Sequence, residues 1–282
     1  MLRTRVILSP YDSGHCRRRM GCGPERIFEA GLKGLFNRLR IEFDSEEVAP
    51  DHPFPAEINS AFQLARKISE CVHACREARI FPIVLSGNCN AAVGMVSGGG
   101  VENSGIVWFD GHGEATTPET TRSGFLDGMP ISILVGRAWH TLAKSVRGFS
   151  PIPGDRIVLF GARDLEAAER TLLEECGVQQ MATVEQLKKV LPTLTKNVEN
   201  VYVHVDLDVL DPRVATSNQW TPPDGISLEV LIQAIKEVKG HANIGALGIA
   251  SYDPEVDRDG KALAAAIAVT EAVLAERIVP PV

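Results

Sequence analysis

Gly105-Ile106-Val107-Trp108-Phe109-Asp110-Gly111-His112-Gly113-Glu114 is an unbroken apolar run that ends in three ligand-grade side chains at alternate positions. Further along, Val201-Tyr202-Val203-His204-Val205-Asp206-Leu207-Asp208-Val209-Leu210-Asp211-Pro212 repeats the arrangement. Strands buried on both faces read as continuous apolar runs, the mark of a parallel sheet covered by helices. Ligands in such open sheets bind beyond the strand carboxyl ends. Residues i and i+2 project to the same side of an extended chain. The spacing therefore predicts that Asp110, His112 and Glu114 converge where one strand runs out, with Asp206 and Asp208 converging beside them. A lone Asp after a strand is as often a helix cap or turn former. Ligand-type residues gathered in two such clusters point instead to a two-metal hydrolase centre.

Working outward, strand-like runs recur at 5–8, 40–43, 81–85, 105–109, 156–160, 201–205 and 246–250, most of them separated by helix-patterned stretches. The helical stretches are 24–39, with Pro24 near its start, 56–78, 166–176, 227–238, with Ser227 as an N-cap, and 261–278. Alternating strand and helix predicts a three-layer α/β/α fold with a mostly parallel central sheet. The Pro- and Gly-containing stretches at 151–154 and 222–225 are short enough to be turns, and no internal repeat is present, so residues 1–282 are expected to form one domain.

Composition narrows the function. A chain of 282 residues, 44% hydrophobic and 23% charged, is long enough for one large α/β domain. Its net charge of −7, without a Lys/Arg run, disfavours nucleic acid and anionic membranes as partners and leaves a small molecule as the expectation. The N-terminal apolar run breaks at Pro10, before a secretory core could form, and no later segment approaches a membrane span. A cytoplasmic protein is expected. Six cysteines without regular C-x-x-C spacing suggest reduced thiols, with Cys71 and Cys75 as packing residues on one helix face. Trp108 reads as core. His15, Cys16 and Cys22 fall in a Gly-rich segment after the first strand, read as a surface loop, with reach of His15 to the site as the alternative.

Taken with Ser86-Gly87-Asn88-Cys89-Asn90 and Ser123-Gly124-Phe125-Leu126-Asp127-Gly128, the two acidic segments complete an ordered set of four motifs. In this the chain resembles the ureohydrolase family, which includes arginase and agmatinase and carries G-G-D-H, D-A-H-x-D, S-G-x-x-H-G and S-x-D-x-D-x-x-D-P in that order. The similarity spans nearly the whole chain. It implies an arginase-like fold and a centre of two manganese ions. Asp110 and Asp206 would bridge the ions, Cys89 and Glu114 would complete one, and His112 and Asp208 the other. Carboxylate-rich coordination suits manganese on general grounds as well. The resemblance further implies that Thr121 and Ser123 hold an amino acid's carboxylate and that Asp164 and Glu166 lie near its amino group. Thr116, Thr221 and Ser251 complete the expected substrate pocket, and Trp220 would shape it. Arginases are commonly trimers and agmatinases hexamers. Monomer and homo-oligomer both stay open here.

Departures from the motifs make the reading specific. Cys89 stands where the family has a ligand His, and a thiolate is softer and binds only when deprotonated. Asp127 stands where arginases carry a His thought to transfer protons. A carboxyl group can take that role if burial or neighbouring carboxylates raise its pKa; otherwise it is a hydrogen-bond acceptor or a turn residue. Ser251 stands where the family has the Glu that pairs with the guanidinium. These changes resemble a divergent subgroup that includes the N-hydroxyarginine hydrolase of D-cycloserine biosynthesis, which implies cleavage of N-hydroxy-L-arginine to L-ornithine and hydroxyurea. The alternatives are an arginase, a hydrolase of another guanidino or formimino acid, and a metal-binding relative with impaired catalysis. His204, by alternation on the same side as Asp206, is either a partner to the ligands or a hydrogen-bonded core residue.

Overall fold

A computed structural model describes residues 2–52, 56–196 and 198–275. The chain opens with β1 (Arg3–Ser9), a small hairpin of β2 (Tyr11–Asp12) and β3 (His15–Cys16), and α1 (Gly23–Ile27), which runs through a π turn at Phe28–Leu32 into α2 (Lys33–Leu39). There follow β4 (Glu42–Glu47), α3 (Glu57–Glu77), β5 (Phe81–Ser86), α4 (Ala91–Gly99), β6 (Ser104–Phe109), α5 (Pro130–Leu134), α6 (His140–Ala143) and β7 (Ile157–Phe160). The chain ends with α7 (Ala167–Cys176), β8 (Gln179–Met181), α8 (Val184–Thr195), β9 (Asn200–Asp206), α9 (Leu228–His241), β10 (Asn243–Ala250) and α10 (Lys261–Leu274).

Eight strands form one sheet in the order β4-β1-β5-β10-β9-β6-β7-β8. All of its pairings are parallel, as the apolar strand pattern predicts. Alternation along each strand feeds two cores. Val107, Phe109, Val203 and Val205 face the layer of α1, α2, α8, α9 and α10. Ile106, Trp108 and Tyr202 face the layer of α3, α4, α5 and α7. Among the described residues no helix is long and apolar enough to cross a membrane, and all six cysteines are free.

Several boundaries differ from the sequence expectation for identifiable reasons. The second strand begins at Glu42 because Arg40 takes a left-handed conformation, φ 55°, that caps α2. Helix α4 was not expected, since its Ala-, Val- and Gly-rich residues are buried nearly all round and leave no polar stripe to read. Helix α8 was missed despite a legible capping box, Thr183 with Gln186 three residues on. Strand β8 is three residues at a sheet edge, too short to carry a pattern. The last helix is described to Leu274, and its expected end at 278 lies outside the described residues.

Helices α3 and α4 pack through Gly94 and Gly98, where an added Cβ would lie 2.4 Å from the backbone oxygens of Ala65 and Ser69. This contact seats α4, and with it the loop before it, against the sheet. Gly94→Ala is expected to cost about 1–3 kcal/mol by overpacking a site that cannot give. By contrast Gly34→Ala, in α2 with nothing within 4 Å of its added Cβ, should gain up to about 1 kcal/mol from helix propensity. Urea midpoints measure both, and equal effects would refute the steric account.

Candidate functional site

The strands β5, β10, β9 and β6 are consecutive in the sheet, so their carboxyl ends meet. Cys89 follows β5, Ser251 follows β10, Asp206 ends β9 and Asp110 follows β6. The structure brings together three sets of ligand-grade atoms, each within 4.8 Å of one another: Cys89, Asp110 and Asp206; Cys89, Glu114 and Asp127; and Asp110, His112 and Asp208. Cys89 and Asp110 recur, which joins the sets into one cluster.

Simple strand alternation does not produce this convergence. The chain leaves extended geometry at both places. Asp206 caps a 3-10 turn at Leu207–Val209, its Oδ1 accepting from the Asp208 N–H at 2.8 Å. Glu114 sits at φ 54° in the left-handed region. Turns at the strand ends, not the pleat, aim these carboxylates. Each turn is locked by the acids themselves. Asp110 Oδ1 accepts from His112 N–H at 2.7 Å and its Oδ2 from the Trp108 indole at 2.8 Å. Asp208 Oδ1 accepts from Gly111 N–H at 3.0 Å. A Cβ at Gly111 would lie 2.9 Å from the Asp208 carbonyl, so this position needs glycine.

Cys89 is 1% exposed, and its Sγ donates to Asp206 Oδ2 at 3.1 Å. His204 Nε2 lies 3.2 Å from the same sulfur, and Tyr202 Oη lies 2.7 Å from His204 Nδ1. Burial drives the His204 imidazole down to about 3, so the ring is neutral. With Tyr202 donating to Nδ1, the ring's proton sits on Nε2 and points at the sulfur. Trp108 stacks on the ring at 3.8 Å. His204 is therefore a hydrogen-bonded core residue and a partner to Cys89 at once. Tyr202 was missed, although its place two residues before His204 was a usable signal. Gly248, opposite His204 on β10, makes room for it: a Cβ there would meet the Tyr202 hydroxyl at 2.1 Å.

Electrostatics mark the cluster as a place for cations. Burial, then repulsion from neighbouring carboxylates, pushes the Glu114 and Asp206 carboxyls well up. Burial and Asp208 push Asp110 to about 6. Asp127 is raised by burial against two opposing hydrogen bonds. Burial opposes ionisation of Asp208 and of His112, but each stabilises the other, so Asp208 is held low and His112 high. Burial, then the surrounding acids, raises the Cys89 thiol. Glu114 Oε2 is buried without a hydrogen-bond partner. An orphaned carboxylate oxygen among crowded acids, with an imidazole and a thiol, fits divalent first-row metals.

Above the cluster lies a cleft of about 210 Å³. Thr116, Thr121, Ser123, Asp127, Asp164, Glu166 and Ser251 line it, as do Met20, Phe125, Glu169, Asn218 and Trp220. The Thr121 and Ser123 hydroxyls lie 3.5 Å apart on an exposed loop. Glu166 N-caps α7 in a capping box with Glu169, and its carboxylate also meets Arg122 at 3.4 Å. Thr221 is not brought to the cleft wall. Its hydroxyl donates to the Asn218 carbonyl at 3.0 Å, bracing the loop. Asn218, which sequence reasoning missed, donates to Ser251 O at 3.0 Å and approaches Asp208 Oδ2 at 3.4 Å; nothing in its local sequence signals this. His15 lies on the exposed β3 and is not among the residues that line the cleft.

A sequence profile of the Arginase family matches residues 3–275. The arginase of Bacillus subtilis (strain 168) is 26% identical over 292 residues, covering 97% of this chain and 98% of that one. The crystal structure of arginase from Bacillus subtilis superimposes with a TM-score of 0.85 at 26% identity, covering 98% of this chain and 100% of that one. The native structure of arginase from Bacillus caldovelox, at 23% identity, gives a TM-score of 0.86 over 99% of this chain and 100% of that one, a likeness of fold.

The raised carboxyls have a measurable consequence in metal-free protein. Asp110 titrates near 3.8 unfolded and about 6 folded, so the folded chain binds its proton more tightly. Its contribution to stability is full below about pH 3.8 and is lost as pH rises through about 6. Glu114 and Asp206, shifted in the same direction, add to that loss. Chelator-treated protein should lose about 1.4 kcal/mol per pH unit for each such group within that window. Acids held low, such as Asp44, finish titrating below it, and His204, lowered from 6.5 to about 3, gains stability with pH across the window and offsets one of the three carboxyls. Denaturant midpoints that stay flat or rise as the pH passes through about 6 would contradict the account.

Proposed function

Because the chain belongs to the arginase family, we propose that it is a binuclear manganese amidinohydrolase that cleaves N-hydroxy-L-arginine to L-ornithine and hydroxyurea. The family consists of ureohydrolases, and the chain is a hydrolase acting on carbon–nitrogen bonds in linear amidines. The substrate reading goes further and rests on one observation at the base of the cleft. Ser251, 3% exposed, lies with Oγ 3.7 Å from Cys89 Sγ, at the position where the family resemblance implies a carboxylate. A carboxylate there would suit a full guanidinium cation. A hydroxyl suits the less basic N-hydroxyguanidine, because it can both donate to and accept from a neutral N–OH group.

In this reading Cys89, Asp110, Glu114 and Asp206 would hold one ion, and Asp110, His112, Asp206 and Asp208 the other. The carboxylate majority suits manganese, and the Cys89 thiolate widens tolerance toward zinc and iron. When bound, the two ions supply Lewis acidity that activates water as a nucleophile and neutralises developing charge. The chain's own groups do the rest. Tyr202 and His204 hold the sulfur in position. Trp108 and His112 hold Asp110. Asp164 and Glu166 would receive the substrate's α-ammonium, while Thr121 and Ser123 would receive its carboxylate; Thr116 gives its hydroxyl proton to the Gly128 carbonyl at 2.7 Å and shapes the cleft wall. Thr221 acts through Asn218. Water oxygen adds to the guanidino carbon, the bond from that carbon to the ornithine nitrogen breaks, and that nitrogen takes up the proton released from water.

Given N-hydroxy-L-arginine and L-arginine side by side, the manganese-loaded protein is expected to release hydroxyurea with kcat/KM roughly tenfold or more above that for urea release. Cys89→Ala should lower both metal content and turnover. Equal turnover would make the chain an arginase in activity. Turnover of neither substrate, with both ions bound, would overturn the substrate assignment.

A further inference from the structure

Asp127 lies in the 3-10 turn Leu126–Gly128 and is 6% exposed. Both of its carboxylate oxygens are held by N–H donors: Oδ2 by the Asn88 side-chain amide at 2.7 Å and Oδ1 by the Asn90 backbone at 3.1 Å. These donors flank Cys89 on either side in the chain. One short loop therefore fixes the thiol and the carboxylate together. A carboxylate oxygen of Asp127, Cys89 Sγ and a carboxylate oxygen of Glu114 lie within 4.8 Å of one another. Metal–ligand bonds of about 2.0–2.3 Å put opposing ligands at most about 4–4.6 Å apart, so a small contraction brings all three onto one ion. Glu114 supplies an independent sign of what belongs there. It is 6% exposed, and its Oε2 has no hydrogen-bond partner.

Two N–H donors stabilise the ionised form of a carboxyl group, the form that ligates. Donors that favour the ionised form oppose uptake of a proton, while each oxygen keeps a second lone pair with which to ligate. Here both are engaged by donors that hold the group against the Cys89 loop. We propose that Asp127 is a direct ligand of the ion held by Cys89 and Glu114, and not the proton carrier that the family position implies. This rests on the two-ion reading of the site and is independent of the substrate. Replacement of the ligand His by Cys89 and of the proton-transfer His by Asp127 then form one change in chemistry: an imidazole ligand gives way to a thiolate supported by an added carboxylate.

The test measures metal binding in the full-length protein by titration of chelator-treated samples with manganese and, separately, with cobalt. Cobalt bound to a thiolate shows a sulfur-to-metal charge-transfer band, which reports the ion at Cys89 without any assay of turnover. Asp127→Ala is expected to weaken one of two ions by more than the about 10–100-fold typical of losing an outer partner, and to diminish that band. Asp127→Asn, which preserves shape and removes the charge, should weaken the same ion. His112→Ala should weaken the other ion and leave the band in place. Two ions bound at wild-type affinity by Asp127→Ala or Asp127→Asn, with the band intact, would overturn the proposal. If metal-free Asp127→Ala lacks a cooperative melting transition, Asp127→Asn decides. Wild-type protein that binds no divalent ion would instead refute the two-ion reading, so the two failures are distinguishable.

Discussion

Negative charge gathered out of water is the constraint to which the rest of the site answers. Asp110, Glu114, Asp127, Asp206 and Asp208 are each at most 6% exposed and share one cluster. An isolated buried carboxylate costs more than a domain's whole stability margin unless it is neutralised or solvated by the protein. The chain answers with N–H donors from the indole of Trp108, the amide of Asn88 and the backbone of Gly111, His112, Asn90 and Asp208. His112 adds positive charge beside Asp110 and Asp208. Glu114 Oε2 is left without a partner. That residual deficit is what a bound cation would relieve.

Local backbone geometry follows from the same demand. Glu114 and Ser251 both occupy the left-handed region, with φ of 54° and 62°, and both line the cleft. Such conformations cost of order 1–3 kcal/mol and persist only where surrounding contacts over-determine them. Asn218 holds Ser251 through its carbonyl, and the Glu114 carbonyl accepts from Ile131 N–H at 2.9 Å. The parallel sheet makes this possible, because it fixes the ends of β5, β10, β9 and β6 side by side and leaves their connections free to turn.

The mouth of the cleft answers to different forces. Trp220, 40% exposed, lies 6.0 Å from the Phe125 ring, with the Arg19 guanidinium 5.4 Å from its centroid. Arg19 is itself anchored by the fully buried Asp12, Nε to Oδ2 at 2.9 Å. An aromatic and cationic rim above an acidic base gives the cleft two unlike surfaces. Asp164, Glu166 and the Thr121 and Ser123 hydroxyls line the wall between the two.

The fold was legible because burial on both faces writes itself into sequence as continuous apolar runs, so β5, β6, β9 and β10 could be read one strand at a time. The four motif segments could likewise be read in order, with Cys89, Asp127 and Ser251 marked as departures. What escaped had no local signature. Helix α4 is buried all round and lacks periodicity, β8 is too short for any, and Asn218 serves the site only through distant partners. Tyr202 and Gly248 belong to neighbouring strands, and their fit emerges once the strands are paired. The sequence by itself determined which chemical groups stand at the strand ends, since spacing and residue type are local properties. Only the tertiary structure decided which of them share a cavity, which carboxylate oxygen is left without a donor, and that Asp127 turns toward Cys89, because those outcomes depend on distances between segments far apart in the chain.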